Sequence, residues 1–283
     1  MIFILFFVII FHLFSPPNFS SPPPQSFHST YQFDKNFYLE AQNLSTPYTY
    51  HIKKHVIGGI IPHHLLAAPL ISGFFQGIKN QHVQRVIILS PNHYNNGPFQ
   101  ITVSKANFET AYGMAHPDID AIQKLDDSVG NYEDVFDNEH GIYGIVPFIK
   151  KTFPSAKIIP LILKSDVTQK ECDDLVSKLA EIVDKNTIII ASTDFSHYLP
   201  LKQADQFDIQ SIKVLNDWKP AEILLLNDTK NVDSPQSLYV VEELMTKIGA
   251  KNMYKIAHSN SALLTQELDI PQTTSYFTIY FSK

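Results

Sequence analysis

The chain has 283 residues, 44% of them apolar and 18% charged, the composition of a globular protein rather than a disordered one. Its formal charge is −6, and its basic residues cluster no further than the pairs Lys53-Lys54 and Lys150-Lys151, so nucleic-acid binding has no footing. Cys172 is the single cysteine, which excludes an internal disulfide framework and a cysteine-built zinc site. With Asp173 and Asp174 beside it, its thiol is expected to be inert.

Residues 1–14 are uncharged and almost wholly apolar. As a helix they would span roughly 20 Å, short of the ~30 Å hydrocarbon core, so the expectation is the apolar part of a secretory signal peptide or a short membrane anchor. No Lys or Arg precedes Lys35 and no small-x-small cleavage site follows, so removal and retention as a membrane tether stay open. Either way the rest of the chain is expected outside the cytoplasm. Residues 15–48 are rich in Pro, Ser, Asn and Gln, and predict a linker. Residues 49–283 then form one domain, without an internal repeat.

Within that domain the texture alternates. Val56–Ile61 reads as a strand, Leu65 to about Lys79 as a helix, and Val83–Leu89 as a second, β-branched strand. Phe99–Val103 predicts an edge strand, Pro117 opens a helix reaching Leu125, and Gly141–Phe153 reads as one helix despite Pro147. Ala156–Leu163 is a strand whose Pro160 argues for an edge or a bulge. Thr168 and Glu171 form a capping box at the head of a long helix ending near Asp184. Thr187–Ser192 is a buried-type strand. Helices are expected at 201–216, 219–226 and 235–249, and closing strands at Met253–Ala257 and Thr274–Phe281. The sum is an α/β domain with a mostly parallel or mixed central sheet and helices on both faces.

The informative feature is where the histidines fall. His63 follows the first strand after Pro62, His93 follows the second in Leu89-Ser-Pro-Asn-His93, Asp194 and His197 follow the central strand, and His258 ends the Lys255-Ile-Ala run. Open α/β sheets bind ligands beyond the carboxyl ends of their strands, so one pocket is expected to collect these groups. Imidazole suits iron, copper and zinc, and a pocket histidine can serve as a general base. His140, in Asp137-Asn-Glu-His140, is a second-rank candidate, with Asp137 or Asn138 the expected helix cap. His64 is set aside because adjacent side chains diverge. Tyr94, Tyr198 and Phe195 could wall a pocket or simply pack. Gly58-Gly59 lacks the other glycines of a dinucleotide fingerprint, and Ser192 and Ser196 lie outside a nucleophile elbow. Asn43 and Asn227 match the N-glycosylation pattern, but neither is assigned.

The blocks Ile61-Pro-His63, Ser90-Pro-Asn-His93, Glu139-His140 and Ser192-Thr-Asp-Phe-Ser-His-Tyr198, in that order, resemble those of the Memo-like family, which includes protein B of the AmmeMemoRadiSam system. The resemblance covers roughly residues 50–283. It implies a fold similar to class III extradiol dioxygenases, metal ligands at His63 and His93, and His197 in the place of the acid/base histidine. Asp194 and His140 would line the same cleft. The chain departs from the pattern in two places. The family's third ligand, Cys or an acidic residue near Ser259-Asn-Ser-Ala262, is missing, leaving His258 as the nearest substitute. Gly141 and Tyr143 stand where Ser and a second Glu are usual. The resemblance also implies cytosolic radical-SAM and AMMECR-like companions, which an exported chain could not meet.

Three functions follow. One is a redox enzyme with a divalent metal, iron or copper ahead of zinc, in which His197, Asp194 and His140 are catalytic and His63, His93 and His258 ligate. Another is a zinc hydrolase in which Asp194 or His197 activates water. The third is a non-catalytic module that binds a small molecule or peptide and has lost the third ligand.

Overall fold

The computed structural model describes residues 27–30, 33–125 and 128–283. The expected leader at 1–14 lies outside the described residues, and among those described no helix is long and apolar enough to cross a membrane.

The expected linker is the first correction. Phe27–Ser29 forms β1 and Lys35–Asn43 forms α1, followed by a single 3-10 turn at Thr46–Tyr48. The Asp34 side chain caps α1, accepting from the backbone N–H groups of Asn36 and Phe37. Tyr38 and Ala41, one turn apart, are buried, and the Tyr38 ring meets Phe148 edge-on at 5.0 Å. A polar composition concealed this helix because two apolar positions suffice once a larger surface covers them.

The first strand of the main sheet, β2 (Val56–Ile61), leads through a 3-10 turn into α2 (Ala68–Ile78), and β3 (Arg85–Pro91) follows. β4 (Ile101–Val103), β5 (Asn107–Thr110), β6 (Gly113–Ala115), α3 (Ile119–Ile122) and β7 (Gly130–Asn131) make an excursion at one side, in which β1, β5 and β6 form a small separate sheet. The helix expected from Gly141 is two short ones, α4 (His140–Tyr143) and α5 (Val146–Thr152). Pro147 sits in the first turn of α5, where a missing N–H costs nothing. β8 (Lys157–Leu163), α6 (Gln169–Ile182) and β9 (Thr187–Ser192) come next, with the expected Thr168–Glu171 capping box in place. β10 (Phe195–Leu199), α7 (Leu201–Asn216), α8 (Pro220–Ile223), α9 (Pro235–Lys247), β11 (Asn252–Asn260), α10 (Ser261–Thr265) and β12 (Thr273–Ser282) complete the chain.

The nine-stranded sheet runs β10-β12-β2-β9-β3-β8-β4-β7, with β11 also paired to β12. Its centre, β2-β9-β3-β8, is parallel, and β12 joins β2 antiparallel. Residues of α2 and α5 share one core with the strands, whereas residues of α6 and α9 share the other, so the sheet is covered on both faces. This is the expected α/β architecture, a mixed sheet with helices on both faces. Two edge predictions fail. β8 lies between β3 and β4, and β4 lies between β8 and β7. Pro160 is tolerated inside because its carbonyl faces the end of β4 and accepts from Ser104 N–H at 3.2 Å. Its missing donor therefore points past that three-residue strand rather than into β3.

Candidate metal centre

β2 and β3 both flank β9 and run parallel to it, so the segments leaving their carboxyl ends rise beside one another. His63, His93 and Asp194 ride on those three exits. Buried His63 places its ring centroid 4.9 Å from that of His93 and 5.1 Å from that of His140, while His93 and His140 stack at 3.8 Å. The expected meeting of imidazoles from distant parts of the chain therefore takes place.

Each ring is aimed by a partner. The Ser192 hydroxyl donates to Gly141 O at 2.6 Å and so can only accept from His63 Nδ1, 3.3 Å away. That leaves the lone pair of His63 Nε2 facing outward, where it meets Asp233 Oδ2 at 3.2 Å and Asp194 Oδ2 at 3.6 Å. Fully buried Glu139 accepts from His93 Nδ1 at 2.5 Å, and also from the backbone N–H groups of His93 and Gly141. His93 Nε2 is thereby freed and lies 3.9 Å from Asp233 Oδ2. Glu139, not Asp137 or Asn138, is the N-cap of α4, so one carboxylate both starts that helix and orients a ring. A Cβ at Gly141 would fall 1.9 Å from Ser90 Oγ and 3.2 Å from Glu139 Oε1, so a side chain there would turn the Ser90 hydroxyl aside and crowd the carboxylate that orients His93.

Backbone bonds hold the two aspartates. Asp194 Oδ1 accepts from His63 N–H at 3.1 Å, Asp233 Oδ2 accepts from Asp194 N–H at 3.0 Å, and Asp233 N–H donates to Asp194 O. Asp233 Oδ1 is buried with no hydrogen-bond partner among the described residues. Burial raises the pKa of both acids, and in Asp233 the neighbouring Asp194 raises it further. Burial, followed by the other imidazoles, holds His63 well below its usual range and pushes His140 and His197 down to about 4. Two groups can therefore each close on one cation: His63 with His93 and His140, and His63 with Asp194 and Asp233.

His197 stands on β10, its N–H bonded to Thr229 O, and lines a cavity of about 220 Å³ together with His93 and Asp233. His64 diverges as expected and bonds the Tyr276 hydroxyl at 2.5 Å. His258 does not join the cluster, which corrects its assignment as a ligand. β11 lies on the far side of β12 from β2, and register with Phe277 turns the ring toward α7. There it lies flat on Phe277, bonds Asp208 at 2.9 Å, and lines a different cavity of about 640 Å³. Where the family supplies its third ligand, Asn260 caps α10 by accepting from Leu263 N–H. The carboxylates that stand beside His63 are those of Asp194 and of Asp233, and Asp233 is not among the residues singled out from the sequence. Asp233 lies in the loop before Ser234, the cap of α9, and nothing local distinguishes it from a helix-entry acid.

The family model described as Memo-like protein matches residues 31–280. A MEMO1 family protein of Nitrosopumilus maritimus is 30% identical over half of this chain and 54% of its own length. Others from Pyrobaculum aerophilum (24% identical; 80% of this chain, 83% of its own) and Aquifex aeolicus (27%; 77% and 61%) match over more of the chain. The chain spans only about three fifths or less of the Nitrosopumilus, Caldivirga and Methanopyrus relatives it matches. Among solved structures, the uncharacterized protein JW3007 of Escherichia coli K12 shares the fold, with a TM-score of 0.51 at 13% identity over 78% of this chain and 98% of its own. The matched span takes in every residue of the strand-end cluster, and the chain belongs to the Memo-like family.

Proposed function

We propose that the chain holds one divalent transition-metal ion, iron or copper ahead of zinc, between His63, His93 and the Asp194–Asp233 pair, and that it acts as a dioxygenase-type oxidoreductase on a small molecule. The observation that carries this reading is the lone pair of His63 Nε2 directed at two carboxylates, with its other nitrogen committed to Ser192. Three electron-rich groups so placed repel one another unless a cation or a proton lies between them. Donors about 2.1 Å from a common ion sit roughly 3.0–3.4 Å apart at octahedral or tetrahedral angles, close to the 3.2 and 3.6 Å found. Two histidines and a carboxylate are a donor set of non-heme iron sites.

A bound ion would supply a Lewis-acid centre at which a substrate oxygen or dioxygen is activated. The chain's residues do the rest. Glu139 and Ser192 fix the two ring orientations, and Asp233 brings negative charge to balance the ion. His197, neutral at pH 7, can accept a proton at a ring nitrogen from a substrate in the 220 Å³ cavity. An extracytoplasmic location, with a tether at residues 1–14, belongs to the same proposal and is tested by cell fractionation.

The test is metal analysis of protein purified without chelators, then oxygen uptake with small aromatic substrates. The expected result is one iron or copper per chain, absent from His63→Ala. Folded protein that neither carries nor takes up iron, copper or zinc would overturn the reading. Zinc with ester or amide turnover would replace it by the hydrolase.

A further inference from the structure

The strand that carries His197 is irregular on both sides of it. β10 pairs antiparallel with β12, and its register slips between Phe195 and His197 and again between His197 and Leu199, so that Tyr198 has no partner of its own on β12. Tyr198 takes up the second slip by adopting φ +57°. That left-handed backbone costs free energy for any residue with a Cβ. Three other residues with a side chain share it among those described. Trp218 and Gln266 lie just past α7 and α10, where it is an ordinary way to finish a helix, and Asn95 is of a type that tolerates it. Tyr198 alone holds it inside a strand, and at 66% exposure core packing does not offset the strain.

The slip brings two neighbours to one side. Successive side chains of a regular strand face opposite ways, yet the rings of His197 and Tyr198 lie 5.7 Å apart, and both line the 220 Å³ cavity shared with His93 and Asp233. Pro91 and Leu163, paired across β3 and β8, add apolar surface to the same cavity. Asn92, Asn95 and Gln236 would suit a polyol, but their amides are engaged within the rim. Asn92 donates to Asn96 O, Asn95 exchanges two bonds with Ser165, and Gln236 donates to Ser165 O at 2.6 Å. An open ring face beside so small a cavity favours a flat ligand. An apolar cavity of roughly 150 Å³ takes up benzene. One of about 220 Å³ therefore has room for a single six-membered ring with its substituents, and not for a fused pair.

We infer that Tyr198 determines specificity at this centre by stacking on a substrate with a single planar aromatic ring, and that the strained backbone serves to hold its side chain at the cavity beside His197. The inference deepens the proposed function and takes the identity of the cavity from it. It gives the cost at residue 198 a return in binding, since a substrate ring would cover the face that the fold leaves open.

The test is titration of the purified chain, by calorimetry or NMR, with 4-methylphenol, its saturated counterpart 4-methylcyclohexanol, and the fused 2-naphthol, none of which chelates a metal. 4-Methylphenol should bind at least about fivefold tighter than 4-methylcyclohexanol, although it is the less apolar of the two, and 2-naphthol should bind no tighter than 4-methylphenol. Tyr198→Phe should keep both preferences. Tyr198→Gly and Tyr198→Asn, whose residues are at ease at positive φ, should melt at or above the parent temperature and lose the preference for the flat ring. Variants that keep that preference, or that melt several degrees lower, would show that the ring serves the fold and would overturn the inference. So would a parent protein that binds the saturated or the fused probe best, or binds none of them. Metal content of the same samples reports on the proposed function separately. A metal-free protein with a Tyr198-dependent preference sinks that reading alone, and a metal-loaded one without it sinks this one alone.

Discussion

His93 with Glu139 and His258 with Asp208 are the same pair of side chains used to different ends. Both couple a strand-end imidazole to a buried carboxylate at 2.9 Å or less. Glu139 takes one nitrogen of His93 and turns the other toward Asp233, in company with His63 and His140. Asp208 is itself the group being satisfied, by His258 on one oxygen and the Ser196 hydroxyl on the other, and the ring lies flat on Phe277 with no second imidazole stacked against it among the described residues. A carboxylate–histidine pair becomes a metal arm only when the sheet order delivers further donors to the free nitrogen.

That contrast can be broken by substitution. His63→Ala should weaken metal binding by more than about 100-fold, beyond what loss of a supporting hydrogen bond does, while His258→Ala keeps full metal content by elemental analysis. Equal metal loss in both variants would erase the distinction. Glu139→Gln should cost about 10–100-fold in metal affinity, read by competition with a chelating dye, with the fold intact by circular dichroism. Asp208→Asn should leave that affinity unchanged and lower stability by about 1–3 kcal/mol in urea unfolding, because Ser196 and His258 lose a charged acceptor.

A third pair sharpens the comparison with the smallest effect. His28 bonds Asp137 at 2.9 Å and Glu133 at 2.8 Å, so both its nitrogens must donate and the ring is charged. Burial opposes that charge, but the two carboxylates outweigh it and its pKa is raised; burial likewise opposes the ionised form of Glu133, whose hydrogen bonds nonetheless pull it down to about 2. A raised histidine pKa stabilises the fold fully below about pH 6.5, the unfolded value, and that contribution disappears as pH rises through the folded value. His28→Gln should therefore cost about 1–2 kcal/mol at pH 5.5 and markedly less at pH 9, by thermal melts at both. A pH-independent cost would mean that the ring acts by packing alone.

How much of this was legible depended on whether the cause was local. The β-branched runs of β2, β3 and β9 announce parallel buried strands, and from there the carboxyl-end rule brings His63, His93 and Asp194 together. His258 obeyed the same rule and was misplaced, because its strand's position beyond β12 and the face it shows are properties of sheet order that one sequence does not carry. Asp233 was hidden for the complementary reason. It ends no strand, and reaches the site through the bridge of Val232 to Phe195 and its own bonds to Asp194. Pro160 looked like an edge signal because a short neighbour can relieve an interior proline as well as open solvent can.

The stretch from residue 27 to 48 reaches further than its size suggests. His28 holds the turn carrying Glu133 and Asp137, and that turn runs directly into Glu139 and His140. Tyr38 caps the surface of the helix that follows them, and Lys151 of that helix donates back to Tyr38 O. A fragment trimmed to begin at His51 would keep all nine strands of the main sheet and lose only β1 of the small one. It would also have lost the contacts by which His28 and Tyr38 tie down the segments on either side of Glu139 and His140.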